Sequence, residues 1–74
     1  MTIQQLESLI GRVREEMNTI KRTDPRFRLP HYYLETTVTK IKRRSLNVTF
    51  IIGNEENESN YTERDEQEFS LDDN

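Results

Sequence analysis

An alternation of apolar and polar residues in the middle of the chain constrains its fold more than any other feature. Leu46, Val48, Phe50 and Ile52 stand two residues apart, the spacing that places side chains on one face of a β-strand. We therefore predict a strand over residues 45–52. A strand with one apolar face needs a second element to cover that face, so another part of the 74-residue chain must supply an apolar surface.

The N-terminal segment supplies it. Apolar residues recur there at intervals of three and four, which predicts an amphipathic helix over residues 2–22; these residues are Ile3, Leu6, Ile10, Val13, Met17 and Ile20. Thr2 and Gln5 have the spacing of a capping box at the start of a helix. Pro25 ends the helix, because the residue before a proline is pushed out of helical backbone.

The same stripe has two interpretations, because its spacing is also that of a heptad repeat. It covers the sheet or contacts another subunit, and it can serve both if Leu9 widens the apolar face enough. All six residues of the stripe are therefore candidate interface residues. Gly11 lies in the middle of the helix, where we expect it to allow the close approach of another backbone.

Alternation with a period of two predicts further strands over residues 26–29, 32–42 and 66–71. The polar, acidic segment 53–65 has no periodicity and is predicted to be a flexible loop. The expected fold class is α+β: one N-terminal amphipathic helix packed on a small antiparallel sheet of three to four strands. Residues 1–74 are expected to form a single small domain.

Within the predicted strand 32–42, strict alternation assigns side chains to two faces. Leu34 and Val38 fall on one face, whereas Glu35 and Ile41 fall on the other. Lys42, Arg43 and Arg44 form a basic turn of a predicted hairpin. Together with Tyr33 they are candidate contacts for a ligand or a partner.

The residues that carry enzyme chemistry are sparse. The chain has no cysteine and one histidine, His31, so neither a catalytic triad nor a metal site is predicted. Two glycines, Gly11 and Gly53, are too few for a phosphate-binding loop. We expect no catalysis, no metal and no cofactor.

Charge is distributed unevenly along the chain. Residues 1–44 carry ten Lys/Arg and five Asp/Glu, whereas residues 45–74 carry one Arg and nine Asp/Glu, for a net charge of −3. Nucleic acid is not an expected partner of a chain that is acidic as a whole. The acidic half leaves an alternative function open. The chain would then be a small acidic inhibitor that imitates a nucleic acid and blocks a host or defence enzyme, and a phage is one possible source of it.

The core predicted for this chain is thin, since 31% of its residues are hydrophobic and 34% are charged. A small chain of this composition usually gains stability by self-association or by docking on a partner. There is no signal-peptide pattern, and the longest apolar run, residues 50–52, is far too short to cross a bilayer. We expect a cytoplasmic protein with no membrane association.

The order of these segments resembles the trypsin-co-occurring domain 2 family, small α+β modules found beside trypsin-like peptidases and NTPases in bacterial conflict systems. The segments that carry the resemblance are the helix at 3–10, the Arg/Phe segment at 24–29, and the strands at 32–39, 47–52 and 68–71. The resemblance implies an adaptor that forms a homo-oligomer or recruits a partner effector, such as a co-encoded peptidase or NTPase. It implies no catalytic residue, and it makes Glu35, a polar residue of the shared strand pattern, a candidate contact.

Overall fold

A computed structural model describes residues 1–57 and 62–73. In these residues, one helix packs on one face of a three-stranded antiparallel sheet, which is the predicted α+β arrangement. The helix and the strands are α1 (Ile3–Thr23), β1 (Tyr32–Ile41), β2 (Ser45–Asn54) and β3 (Thr62–Ser70), with short 3-10 helices at Pro25–Arg28 and Glu55–Asn57. The strand order is β1-β2-β3, so β2 is central and β1 and β3 are edges.

The two ends of α1 lie where local sequence chemistry places them. The Thr2 hydroxyl accepts a hydrogen bond from the Gln5 backbone N–H at 3.1 Å, and the Gln5 side chain accepts one from the Thr2 backbone N–H at 2.8 Å. This is the predicted capping box. The helix ends at Thr23, directly before Asp24 and Pro25.

The helix covers the alternating face of β2, as predicted. Leu9 and Val13 of α1 are buried against Leu46, Val48 and Phe50. Phe69 of β3 completes this cluster, with its ring in edge-on contact with that of Phe50 at 6.2 Å between centroids. Burying such side chains is worth about 1.5–3 kcal/mol each, so this cluster supplies most of the apolar stabilisation of the fold.

The predicted strand at residues 26–29 was wrong: Pro25–Arg28 form a 3-10 helix. Asp24 caps it, since its Oδ1 accepts a hydrogen bond from the Arg26 backbone N–H at 3.0 Å. Pro25 favours the first position of a helical turn, because its φ angle is already fixed near the helical value. Cap and proline together outweigh a short alternation of polar and apolar residues.

The predicted loop at 53–65 was too long. Gly53 and Asn54 belong to β2, a 3-10 helix follows, and β3 begins at Thr62; residues 58–61 of this prediction lie outside the described residues. The first part of β3 shows no apolar alternation because its side chains lie at an edge of the sheet, where Glu63 and Asp65 remain exposed.

The predicted assignment of side chains to the two faces of the sheet was wrong at the end of β1, for Ile41. The pairing with β2 shifts between Val38 and Lys40, so that Ile41 lies opposite Leu46. Directly opposed residues of an antiparallel pair share a face, and the Leu46 side chain is in the core beneath α1. The irregularity therefore moves Ile41 to the helix side of the sheet, the same side as Val38.

Gly11 does not mark a close approach within the protomer. A Cβ atom placed there would have no neighbouring atom within 4 Å beyond the local helix backbone. The expectation that the helix contacts another backbone at this residue is not met inside the chain.

Candidate functional site

The two edges of the sheet differ in charge. β3 carries five charged residues among nine, whereas β1 carries two, Glu35 and Lys40, among ten. Charged side chains along an edge strand discourage pairing with another chain. The β1 edge is thus the less protected of the two, and half of its backbone N–H and C=O groups point away from β2.

Apolar side chains lie beside this open edge. Val38 and Ile41 point to the helix side of the sheet, yet they are 45% and 64% exposed. Since Leu46 and Val48, their direct neighbours on β2, are completely buried, α1 covers the central strand but not this part of β1.

The flank of α1 above β1 is apolar as well. The Arg12 guanidinium donates to the Ser70 carbonyl oxygen at 2.6 Å, which places the Arg12 flank of the helix over β3. With about 100° per residue, Ile3 and Ile10 lie on the opposite flank, towards β1. They are 76% and 38% exposed. We call the surface formed by the free edge of β1 together with Ile3, Ile10, Val38 and Ile41 the β1 flank.

The predicted stripe on α1 is therefore divided between two roles. Val13 is buried in the core, and Leu6, Met17 and Ile20 pack against it from the side. Only Ile3 and Ile10 among the six predicted residues are exposed. The stripe is mainly the core face of the helix, and its first part is available to a partner.

The other predicted contact residues do not form one site. Tyr33 and Glu35 lie on the sheet face opposite α1, where Tyr33 covers Gly53 and Glu35 stands exposed opposite Ile51. Lys42, Arg43 and Arg44 lie at the far end of β1, at the hairpin turn. Lys42 and Arg44 already bind carboxylates of the same chain, as described next.

Ion pairs fold the acidic end of the chain back onto its basic part. Basic residues of α1, of the segment after it and of the hairpin each bind one carboxylate near or within β3; these pairs are Arg12–Asp73 (3.9 Å), Arg26–Glu63 (2.8 Å), Lys42–Glu68 (2.6 Å) and Arg44–Asp72 (3.0 Å). The Lys42 ammonium group lowers the pKa of Glu68, and the Ser45 hydroxyl adds to this shift. Four of the eight acidic residues described after residue 45 are thus paired with lysine or arginine side chains of the same protomer.

A cavity of about 300 Å³ lies between the end of α1 and the start of β3. Ile20, Phe50 and Ile52 form its apolar wall, and Asp24, Glu63 and Asp65 are among its polar residues. The Arg26 guanidinium binds Asp24 at 2.6 Å as well as Glu63, and its hydrogen bonds hold the pKa of Asp24 below its usual range. A carboxylate that is held ionised by a guanidinium is a poor general acid.

His31 pairs with a glutamate at the end of the sheet opposite to that of Ser45. His31 Nε2 lies 2.9 Å from Glu56 Oε1. Ser45, whose hydroxyl donates to Glu68, is at the opposite end of β2, a separation of about 30 Å for a ten-residue strand. In the described part of the chain, no group of three or more histidine, aspartate or glutamate side chains is placed to hold a metal ion, and no helix has the length and apolarity to cross a membrane.

Sequence reasoning missed Val38 and Ile41 as members of an exposed surface. Alternation identifies which side chains share a face, but it does not show how far a single helix extends over a sheet. The available signal was the contrast in charge between residues 32–41 and 62–70, which separates an open edge from a protected one.

Comparisons with known proteins give no relative for this chain: no family model, no curated protein and no solved structure matches it.

Proposed function

We propose that this protein is a non-catalytic protein–protein interaction module that docks a partner through the β1 flank. One observation carries the proposal: the exposed apolar side chains Ile10, Val38 and Ile41 lie beside the less protected edge of the sheet. Backbone groups at such an edge can accept an added strand, and neighbouring apolar side chains supply contact area.

The resemblance of the segments to the trypsin-co-occurring domain 2 family adds a context to this proposal. In that context the module is an adaptor of a bacterial defence system, and its partner is either a second copy or a co-encoded peptidase or NTPase. The adaptor role is preferred over the acidic inhibitor because Glu63, Glu68, Asp72 and Asp73 are engaged by basic side chains of the same chain. A phosphate mimic needs its carboxylates free.

The test compares two lysine substitutions that add the same charge at different places. Ile41→Lys puts an ammonium group into the β1 flank, whereas Asn18→Lys puts one on the face of α1 turned away from the sheet. Both positions are exposed, so both variants are expected to fold, as circular dichroism would show.

We expect Ile41→Lys to abolish binding to itself and to a co-encoded peptidase or NTPase in size exclusion and calorimetry, and Asn18→Lys to leave binding unchanged. Equal binding by the wild type and both variants would contradict the β1 flank as the docking surface.

A further inference from the structure

We propose that the β1 flank binds a second copy of this chain, with the two β1 strands paired antiparallel about a two-fold axis to form a continuous six-stranded sheet. This inference rests on the proposed function and names its partner. A two-fold interface uses the same surface on both subunits, and β1 is the edge with few charges. Pairing through β3 would instead bring Glu63, Asp65, Glu66 and Glu68 of two copies together.

The geometry of such a sheet would cover the exposed apolar residues. A two-fold axis perpendicular to the sheet keeps both helices on the same side. The two β2 strands, which the helices cover, would be three strand spacings apart, or about 14 Å. A helix with its side chains is about 10–12 Å wide. The gap between the helices would thus be narrow, and Ile10, Val38 and Ile41 from both copies point into it.

Charge complementarity fixes the direction and the register. Glu35 and Lys40 both lie on the sheet face that α1 leaves uncovered. Glu35 pairs with Ile51 of β2, and Lys40 pairs with Asn47. Their partners on β2 are four positions apart, roughly 13 Å along a strand, too far for an ion pair within β1 unless both side chains are fully extended. If the axis passes at Thr37, Glu35 lies next to the partner's Lys40, and the pair occurs twice. If it passes at Glu35, two carboxylates face each other, which disfavours that register.

The charges beside the two ends of β1 also favour antiparallel pairing of the two copies. Glu55 and Glu56 lie beside the beginning of β1, where the Glu55 backbone N–H donates to the His31 carbonyl oxygen at 2.9 Å. Arg43, exposed at the hairpin turn, lies beyond the other end of β1. Antiparallel pairing therefore brings an acidic end to a basic end at both sides of the axis, whereas parallel pairing would bring like charges together.

The experiment is a charge swap in the full chain, read out by light scattering behind size exclusion and by sedimentation equilibrium over a wide range of concentration. The wild type is expected at twice the protomer mass of 8.9 kDa. Glu35→Lys and Lys40→Glu each turn two attractions into two repulsions, and should raise the dimer Kd by about tenfold or more. The double variant Glu35→Lys/Lys40→Glu restores opposite charges and should return the Kd towards that of the wild type.

A second measurement needs no substitution. Hydrogen exchange of the wild type should show amides of β1 that become protected as concentration rises, while amides of β3 exchange at a constant rate. This pattern supports the dimer even where a variant fails to fold.

Several outcomes would overturn the inference. The first is a wild type that stays monomeric. The second is a mass that keeps rising with concentration because β1 pairs with β3 of the next copy. The third is a dimer whose Kd is the same in the wild type and in the charge-swap variants. A monomer that still binds a co-encoded protein, and loses that binding on Ile41→Lys, would overturn this inference alone and leave the proposed function standing.

Discussion

The Tyr33 ring lies directly over Gly53 of the neighbouring strand, on the sheet face that α1 leaves uncovered. The two residues are direct partners across β1 and β2, and a Cβ atom on Gly53 would overlap the Cζ and Oη atoms of Tyr33. Glycine usually weakens a strand because it has no side chain to pack. Here the aromatic ring occupies the space, and Gly53 is buried although α1 is on the other side.

This contact predicts an energetic coupling between the two residues. Gly53→Ala should displace the ring and lower the free energy of unfolding by about 1 kcal/mol. In a Tyr33→Ala background the same change should be neutral or stabilising, because alanine restricts the unfolded chain more than glycine does. A double-mutant cycle by urea denaturation measures the difference, and additive effects would show that the ring does not rest on Gly53.

Sequence patterns predicted the parts of this fold in which burial follows periodicity. The alternating residues Leu46, Val48, Phe50 and Ile52 are all buried, and the capping box at Thr2 forms as expected. The patterns failed where another force outweighs burial. Turn chemistry at Asp24 and Pro25 produces a 3-10 helix, and ionic contacts at Glu63 accompany a strand with no apolar alternation.

The candidate site was less predictable than the fold, because it depends on how elements are placed relative to each other. The heptad spacing of α1 marks Ile3 and Val13 equally, yet one is exposed and the other is in the core. The irregular pairing after Val38 places Ile41 on the helix side of the sheet, and no proline or glycine in this part of the sequence signals the irregularity. Position along the sheet and strand register are properties of the assembled structure, so they do not follow from a local pattern.

Arg12 is expected to attach the end of β3 to α1. Its guanidinium donates to the Ser70 carbonyl oxygen at 2.6 Å and lies 5.9 Å from the centre of the Phe69 ring. Arg12→Ala should cost about 1 kcal/mol of unfolding free energy, since the side chain is partly exposed to solvent. The matched control is Arg14→Ala, an exposed arginine of the same helix, which should change stability by less than about 0.5 kcal/mol. Equal losses in the two variants would contradict the assigned contact.

The fold should lose stability in acid through two identified carboxylates. Arg26 lowers the pKa of Asp24, and Lys42 lowers that of Glu68. A carboxylate whose pKa is lower in the folded state stabilises the fold above its ordinary pKa of about 4, and this contribution disappears as pH falls through the lowered value. The free energy of unfolding should therefore decline as pH drops below about 5.

Two variants test the assignment. Arg26→Gln should bring the pKa of Asp24 back towards its usual range, and Lys42→Gln should do the same for Glu68, as carboxyl chemical shifts would show in an NMR titration. Each variant should also flatten the loss of stability in acid. Unchanged pKa values in both variants would mean that these ion pairs do not persist in solution.

Gly11 is expected to weaken α1 without a compensating contact. Open space surrounds the position of a Cβ atom there, and an interior glycine costs a helix roughly 0.5–1 kcal/mol relative to alanine. Gly11→Ala should raise the free energy of unfolding by about that amount in chemical denaturation. A loss of stability would instead reveal a close neighbour at this face of the helix, such as another subunit.

The division of the α1 stripe into a core part and an exposed part leads to opposite expectations for two of its residues. The Leu9 side chain is completely buried among Leu46, Val48 and Phe50, whereas Ile3 is 76% exposed. Leu9→Ala removes apolar contacts and leaves a cavity, which should cost about 2–5 kcal/mol. Ile3→Ala should change the stability of the protomer by less than about 0.5 kcal/mol.

Urea denaturation at low protein concentration compares the two variants, with Val13→Ala as a milder core variant if Leu9→Ala does not fold. Because Ile3 belongs to the β1 flank, its substitution should matter only at concentrations at which two copies associate, and a large loss at low concentration would place Ile3 in the core of the single chain.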